Sequence, residues 1–190
     1  MVTPISTLVE RLARLVQNDS HTGGLLPSQW EALRYVERAN RFSSSPGALA
    51  VYLGLTKGTV SQTIKVLAGK GLVRKAPTLA DRRAVKLELT AKGRETLKND
   101  PIQEMQDCID ALPAGDRNSM ETALENLLRD MLKNRLGRPF GICRSCRYFR
   151  RDHETGAPHL CSLLDEPLSN DDSNLICIEQ TEEAEHPDSS

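Results

Sequence analysis

Four of the five cysteines in this 190-residue chain lie close together near its end, with a spacing that suggests metal chemistry. Cys143 and Cys146 form a C-x2-C pair, Cys161 follows after 14 residues and Cys177 after 15 more. The segment around them is too short and polar to bury a core of its own, so we expect a thiolate-bound inorganic centre to hold it folded. The sequence therefore predicts that Cys143, Cys146, Cys161 and Cys177 are the ligands of a metal or cluster.

The spacing also bears on which centre is bound. Zinc sites usually combine two close cysteine pairs, whereas here one pair is followed by two single cysteines. This pattern resembles the cluster segment of high-potential iron-sulfur proteins, which also have an aromatic residue soon after the pair (here Tyr148 and Phe149) and Cys-x-Leu at the third site (Cys161 to Leu163). The resemblance implies a 4Fe-4S cluster, although Ile176 replaces the expected aromatic residue. Zinc remains the alternative.

Other side chains near the cysteines have less specific roles. We expect apolar residues to keep water from the sulfurs: Phe149, Leu163, Leu164 and Ile176. His153 and His159 could replace a ligand, but we expect surface histidines. The nearby arginines could offset the negative charge of the centre or extend a DNA-binding surface: Arg144, Arg147, Arg150 and Arg151.

Charge is segregated along the chain, although the formal net charge is only −1. Residues 57–94 carry ten Lys or Arg and two acids, whereas residues 165–190 carry nine acids and no Lys or Arg. A basic segment of this kind indicates a polyanionic partner.

Residues 55–93 contain the pattern helix, strand, loop and strand of a winged helix-turn-helix. A short helix after Pro46 ends at Gly54, and a second helix begins near Thr56 with Val60, Ile64 and Leu67 on its buried face. Its outer face is predicted to carry small or flexible polar side chains suited to the DNA major groove: Lys57, Thr59, Ser61, Gln62, Thr63 and Lys65.

A hairpin is predicted after this helix. Gly71 ends the helix, Leu72 and Val73 begin one strand, and Val85, Leu87 and Leu89 alternate with polar residues on the other. Arg82 and Arg83 lie in the loop between the strands, where they could enter a minor groove or bind phosphate, and Lys86 follows them.

The segment TKGTVSQTIKVLAGKGLVRKAPTLADRRAVKLELTAKG resembles the DNA-binding core of MarR-family bacterial transcription regulators. The resemblance includes the Asp-Arg-Arg wing motif and the Leu-Thr-x-x-Gly helix start, and extends over about Leu25 to Leu97. It implies a homodimer on a pseudo-palindromic double-stranded operator, with the outer face of the 57–65 helix, Arg82 and Arg83 in contact with DNA. A small-molecule effector is left open.

The flanking helices fit a dimerisation layer. Apolar residues form a stripe on a helix over about Pro4 to Gln17, Pro101 is expected to interrupt the helix that starts near Thr90, and Asp116 is expected to cap a last helix. The broad apolar face of that last helix suggests burial between subunits. Cys108 is expected to be a small buried hydrophobic residue.

The predicted fold class is mainly α with a small β-hairpin wing: a winged helix-turn-helix, a helical dimerisation layer and a cysteine-ligated appendage. The predicted divisions are an N-terminal dimerisation helix and loop (1–24), the DNA-binding domain (25–98), C-terminal dimerisation helices (99–137), the cysteine segment (138–180) and a disordered acidic tail (181–190).

The sequence excludes several functional classes. It has no signal peptide and no long apolar run, so we expect a cytoplasmic protein without a membrane partner. It has no Gly-rich phosphate loop or other enzyme motif, and we expect no catalytic residues.

The sequence thus predicts a DNA-binding regulator whose affinity responds to an iron-sulfur cluster, through redox or iron and oxygen sensing. A change in the cluster is expected to alter the packing of the cysteine segment against the dimer helices. A structural zinc module for dimer stability or partner binding is the alternative.

Overall fold

The computed structural model describes residues 3–19, 24–77, 85–134, 140–152 and 157–181. Its helices are α1 Ile5–Asp19, α2 Pro27–Arg38, α3 Pro46–Leu53, α4 Lys57–Gly69, α5 Ala91–Leu97, α6 Gln103–Asp110, α7 Ala114–Asn134 and α8 Asn170–Ser173. Its strands are β1 Val73–Pro77, β2 Val85–Leu89, β3 Gly141–Ile142, β4 Phe149–Arg151, β5 His159–Cys161, β6 Glu166–Leu168 and β7 Ile176–Cys177. A 3-10 turn spans Cys143–Ser145.

The helix-turn-helix pair α3 and α4 begins and ends at residues that the sequence predicts. Ser45 caps α3 by accepting a hydrogen bond from the Ala48 amide, and Gly54 ends the helix with a φ of 63°, a conformation that favours glycine. Thr56 caps α4 by accepting a bond from the Thr59 amide. These local signals fix where α4 starts.

The winged helix has one apolar core. Helix α2 packs between α3, α4 and the β1–β2 hairpin, and the buried side chains include Trp30, Leu33, Leu49, Val60, Ile64, Leu67, Leu87 and Leu89. Strands β1 and β2 are antiparallel, with Val73 opposite Leu89 and Pro77 opposite Val85. The predicted alternation on β2 is confirmed for Leu87 and Leu89, whereas Val85 is exposed.

The start of α5 is tied to the base of the hairpin. The Thr90 hydroxyl donates to the Gly71 carbonyl at 2.6 Å and accepts from the Gly93 amide at 3.0 Å. A Cβ at position 93 would lie 2.2 Å from the Leu72 carbonyl oxygen. The Leu-Thr-x-x-Gly motif is therefore a packing requirement, because only glycine permits this approach.

Helices α1 and α7 carry exposed apolar stripes. Ile5 is 75% exposed, and Leu12 and Leu15 are more than half exposed. On α7 the exposed apolar side chains are Leu124, Leu127, Leu128 and Met131. In the part of the chain that the structure describes, no helix is both long and apolar enough to span a bilayer.

Three expectations for residues 97–134 can be compared with the structure. Pro101 lies between α5 and α6, so the predicted interruption is confirmed. The cap predicted at Asp116 is wrong, because Pro113 provides the carbonyl that accepts from the Arg117 amide and Asp116 lies within the first turn of α7. Cys108 is exposed on α6 in the single chain, so the burial predicted for it would have to come from a second subunit.

The cysteine segment folds as short antiparallel sheets beside the winged helix. Strand β3 pairs with β7, and β5 lies between β4 and β6. Ile176 joins the winged-helix core, and its carbonyl accepts from the Asn40 amide at 2.9 Å. The Ile178 amide donates to the Ser43 hydroxyl, and Phe140 stacks on Tyr52 at 4.5 Å. These contacts dock the segment on α3 and on the α2–α3 loop (39–45).

Candidate functional site

The outer face of α4 is open to solvent. Its side chains Lys57, Thr59, Ser61, Gln62 and Lys65 are exposed, as predicted for residues that read a groove. The helix is held from behind by Val60, Ile64 and Leu67, each 1% exposed. The described fold therefore presents a polar helix face at the surface on a rigid support.

Thr63 differs from this prediction. It is buried, and its hydroxyl donates to the Thr59 carbonyl at 3.1 Å. Position 63 lies three residues after Val60 and four before Leu67, which places it on the buried face of the helix. The spacing from Val60 and Leu67 indicates this buried position, whereas the polar hydroxyl favours an outward one.

The described part of the wing carries an ion-pair network. Arg74 and Glu88 face each other across β1 and β2 and pair at 2.6 Å, and Lys86 approaches the same carboxylate at 3.7 Å. Lys86, which the sequence predicts to contact DNA, is partly exposed, and it approaches the same Glu88 carboxylate as Arg74. Arg82 and Arg83 lie outside the described residues.

The four clustered cysteines line one cavity, which we call the cysteine pocket. Its other walls come from both parts of the chain: Asn40, Phe42, Phe149, Leu163, Leu164, Leu168 and Glu179. The cavity volume is about 20 Å³. The structure thus brings together cysteines that lie up to 34 positions apart and places them beside Asn40, which lies more than 100 positions earlier in the chain.

Apolar side chains form much of the pocket wall, largely as the sequence predicts. Phe149, Leu163 and Leu164 line it. Ile176 does not have the predicted role, because its side chain packs into the winged-helix core. Phe42 and Leu168 are wall residues that the sequence reasoning missed, and Phe42 comes from the α2–α3 loop.

Hydrogen-bond donors point at the sulfurs. Asn40 Nδ2 donates to Cys143 Sγ at 3.2 Å, and the Thr181 amide donates to Cys146 Sγ at 3.5 Å. Donors of this kind stabilise negative charge on sulfur, as expected around thiolate ligands. Sequence reasoning missed Asn40, because no motif connects a residue at the end of α2 with a cysteine 103 positions later.

Cys143 and Cys177 share a hydrogen bond that moves their pKa values apart. Cys143 is the donor, so the bond raises the pKa of Cys143, and burial raises it further. The same bond lowers the pKa of Cys177 to about 6, assisted by the backbone amide of Glu179 and opposed by burial. The protein around Cys177 therefore favours a thiolate, which is the form that binds metals.

His159 has partners other than the pocket. Its Nε2 lies 3.0 Å from Asn170 Oδ1, its Nδ1 accepts from the Asp152 amide at 3.4 Å, and its ring packs on Phe149 at 4.8 Å. These contacts give the residue a structural role in the segment. His153 lies outside the described residues.

The donors at the pocket are soft sulfur atoms in a largely apolar wall, a combination that suits zinc or an iron-sulfur cluster. Among residues 3–19, 24–77, 85–134, 140–152 and 157–181, no group of three or more His, Cys, Asp or Glu side chains is placed to hold a metal ion. The four cysteines line one cavity, and Cys143 and Cys177 are close enough to share a hydrogen bond.

The winged helix is similar to a known protein family. Residues 23–84 match the MarR family model. This span contains α2, α3, α4 and β1, the elements that carry and support the exposed polar face. No curated protein sequence matches the chain.

Solved structures with the same fold include MarR regulators. A MarR transcriptional regulator from Methanosarcina mazei is 23% identical, with a TM-score of 0.54, and the alignment covers 68% of this chain and 96% of that one. The Staphylococcus aureus MepR–DNA complex is 18% identical, with a TM-score of 0.55 and coverages of 68% and 99%. A cysteine-to-serine mutant of Escherichia coli MarR is 20% identical, with a TM-score of 0.50 and coverages of 67% and 98%.

These alignments establish the MarR-type winged-helix fold. They span nearly the whole of each solved chain but only about two thirds of this one. About a third of the chain is therefore additional to the shared fold.

Proposed function

We propose that the protein is a dimeric MarR-type transcription regulator whose DNA affinity is set by an iron-sulfur cluster bound to Cys143, Cys146, Cys161 and Cys177. The observation that carries the proposal is that all four cysteines line one cavity whose wall is completed by Asn40 and Phe42 of the winged-helix unit. A centre in this cavity touches the DNA-reading part of the molecule directly.

The exposed face of α4 supports the DNA-binding part of the proposal. Lys57 and Lys65 would attract the phosphate backbone, whereas Ser61 and Gln62 can bond base edges. The MepR structure of the same fold was solved with DNA. Arg82 and Arg83 would add contacts from the wing, as the Asp-Arg-Arg motif implies.

The exposed stripes on α1 and α7 support a homodimer. Leu8 and Leu12 on α1, and Leu124 and Leu128 on α7, are close to half exposed or more in the single chain. Helical stripes of this length normally pack against another surface. A second copy would cover them and would place two α4 helices on one duplex.

The spacing of the cysteines along the chain supports a cluster over zinc. Zinc sites usually combine two close cysteine pairs, whereas here the pair Cys143 and Cys146 is followed by two single cysteines. All four cysteines line one largely apolar cavity, whose wall would keep water from a cluster.

Residues of this chain would hold the centre and carry its state to the DNA-binding unit. Phe42, Phe149 and Leu168 exclude water, and the donors Asn40 and the Thr181 amide stabilise charge on sulfur. When bound, the centre would supply a change of charge on oxidation or reduction, or a change of structure on its loss. The α2–α3 loop contacts both the pocket and the hairpin, so it would move with either change.

The test is to purify the protein without oxygen and to measure iron, acid-labile sulfide and zinc per chain. We expect iron and sulfide in equal amounts, near four per chain for a 4Fe-4S cluster. The Cys143→Ser variant should lose both, and its cysteine segment should become sensitive to protease.

Cys108→Ser is the matched control, because Cys108 is exposed on α6 and lies outside the pocket. This variant should keep the wild-type content of iron and sulfide. One zinc per chain without iron would contradict the cluster and favour a structural zinc module, leaving the DNA-binding proposal in place.

A further inference from the structure

We infer that Asn40 is the residue that couples the cysteine pocket to the DNA-binding unit, and that it does so by hydrogen bonding to a sulfur with one end of its amide and to the α2–α3 loop with the other. This inference rests on the proposed function, since it assigns the route by which a centre in the pocket would act. Asn40 is a positioning residue here and not a ligand.

The two ends of the Asn40 amide have different partners. Nδ2 donates to Cys143 Sγ at 3.2 Å, whereas Oδ1 accepts from the Ser43 amide at 2.8 Å and the Phe42 amide at 3.1 Å. The residue is fully buried. A change in the position or charge of Cys143 Sγ therefore acts on an amide that also holds the next turn of backbone.

The Asn40 backbone is fixed from the same side. Its amide donates to the Ile176 carbonyl at 2.9 Å, next to Cys177, and Ala39 forms a parallel bridge with Ile176. Asn40 is thus bonded to the neighbourhoods of two predicted ligands, Cys143 through its side chain and Cys177 through its backbone.

The α2–α3 loop connects in turn to the wing. Ser44 exchanges two hydrogen bonds with Leu87 of β2: its hydroxyl donates to the Leu87 carbonyl, and its carbonyl accepts from the Leu87 amide at 2.8 Å. Ser45, the next residue, caps α3. The loop therefore contacts the wing strand and the first helix of the helix-turn-helix pair within two residues.

A buried amide that is hydrogen-bonded at both ends is costly to place and sensitive to change. An apolar residue would fill the same space without hydrogen-bond partners. The hydrogen bonds of Asn40 therefore add a connection between Cys143 and the α2–α3 loop that packing alone would not make. Hydrogen bonds to sulfur also raise the reduction potential of thiolate-bound clusters, because they stabilise the more electron-rich form. Asn40 should thus affect both the potential of the centre and its communication with DNA.

The test compares the full-length wild type with Asn40→Ser. Serine can still accept from the loop amides through its hydroxyl, but it is too short to reach the sulfur. DNA affinity is measured anaerobically, after reduction with dithionite and after oxidation with ferricyanide, on a duplex selected from random sequence by the wild-type protein. The midpoint potential is measured on the same samples.

We expect the affinity ratio between the two states to be at least about 5 for the wild type and to fall below about 2 for Asn40→Ser. The midpoint potential should become more negative, and iron content should stay close to the wild-type value. Asn174→Ser is the control, because Asn174 is an exposed asparagine of the cysteine segment whose side chain donates to the Asn170 carbonyl and not to a sulfur. It should match the wild type in both measurements.

A second variant keeps the route testable if Asn40→Ser fails to fold. Ser44→Ala removes the hydroxyl bond to Leu87 and leaves the sulfur bond of Asn40 intact. It should reduce the affinity ratio without changing the potential. If both variants keep the wild-type affinity ratio between the two states, the inference about Asn40 is wrong and the proposed function is unaffected. If the wild type contains no iron, the proposed function is wrong and so is this inference.

Discussion

The winged helix and the cysteine segment are stabilised in different ways. The winged helix encloses a continuous core, in which Leu33, Leu49, Ile64 and Leu87 are almost fully buried. The cysteine segment has a much smaller cluster in its described part, centred on Cys143, Leu168 and Cys177. Two of these three buried residues are predicted ligands. One region is held by a large apolar core, whereas the other has few buried side chains in its described part.

Because the two regions are stabilised differently, one could change while the other keeps its shape. A packed core resists change, so the winged helix keeps its shape and presents α4 in a fixed position. The proposed centre would stabilise the cysteine segment, and a change in that centre would then change the segment. Because the segment docks on the α2–α3 loop, such a change would reach the winged helix without interrupting its core.

Substitution of one glycine in each region should have different effects on stability. Gly93→Ala would place a Cβ 2.2 Å from the Leu72 carbonyl oxygen, a backbone atom that cannot move without disturbing the hairpin. We expect the free energy of unfolding of the winged helix to fall by about 3 kcal/mol or more. Thermal or urea unfolding followed by circular dichroism measures this effect.

Gly141→Ala is the matched change in the cysteine segment. Its Cβ would meet the side chain of Gln180 at 2.9 Å, and a side chain can adjust. We expect a loss of about 1 kcal/mol that leaves the unfolding of the winged helix unchanged. Equal losses for the two variants would contradict the view that the two regions differ in rigidity.

A separate effect, on DNA binding and not on stability, is expected at the surface of α4. Gln62→Ala removes an exposed amide and should weaken binding to the selected duplex by about 1–3 kcal/mol. Thr63→Ala is the control on the neighbouring position, because Thr63 is buried and its hydroxyl bonds within the helix. Fluorescence anisotropy measures both, and a larger loss for Thr63→Ala than for Gln62→Ala would show that the outward face is misassigned.

Much of the winged helix could be predicted because its signals are local. Ser45, Thr56 and Gly54 mark helix ends through short-range hydrogen bonds and backbone conformation, and the 3.6-residue period identifies Val60, Ile64 and Leu67. The prediction that Thr63 faces outward is wrong, because it rests on the polar hydroxyl and not on the position of Thr63 in the same 3.6-residue period.

The cysteine pocket could be predicted only in part. The spacing of Cys143, Cys146, Cys161 and Cys177 indicates that they act together, and they do line one cavity. The docking of the segment could not be predicted, because it depends on contacts such as Asn40 with Ile176, which are far apart in sequence. The sequence suggests that the segment acts through the dimer helices, whereas its hydrogen bonds to the winged helix run to the α2–α3 loop.

Control of DNA binding by the cysteine centre is tested by the DNA affinity of one anaerobic preparation before and after its centre is removed. We predict that wild-type affinity for the selected duplex changes at least about fivefold on removal, and equally in Cys108→Ser. Cys143→Ser should show the affinity of the depleted protein from the outset. If the wild type contains iron and sulfide but binds the duplex equally well with and without them, the claim that the cysteine centre controls DNA binding is contradicted.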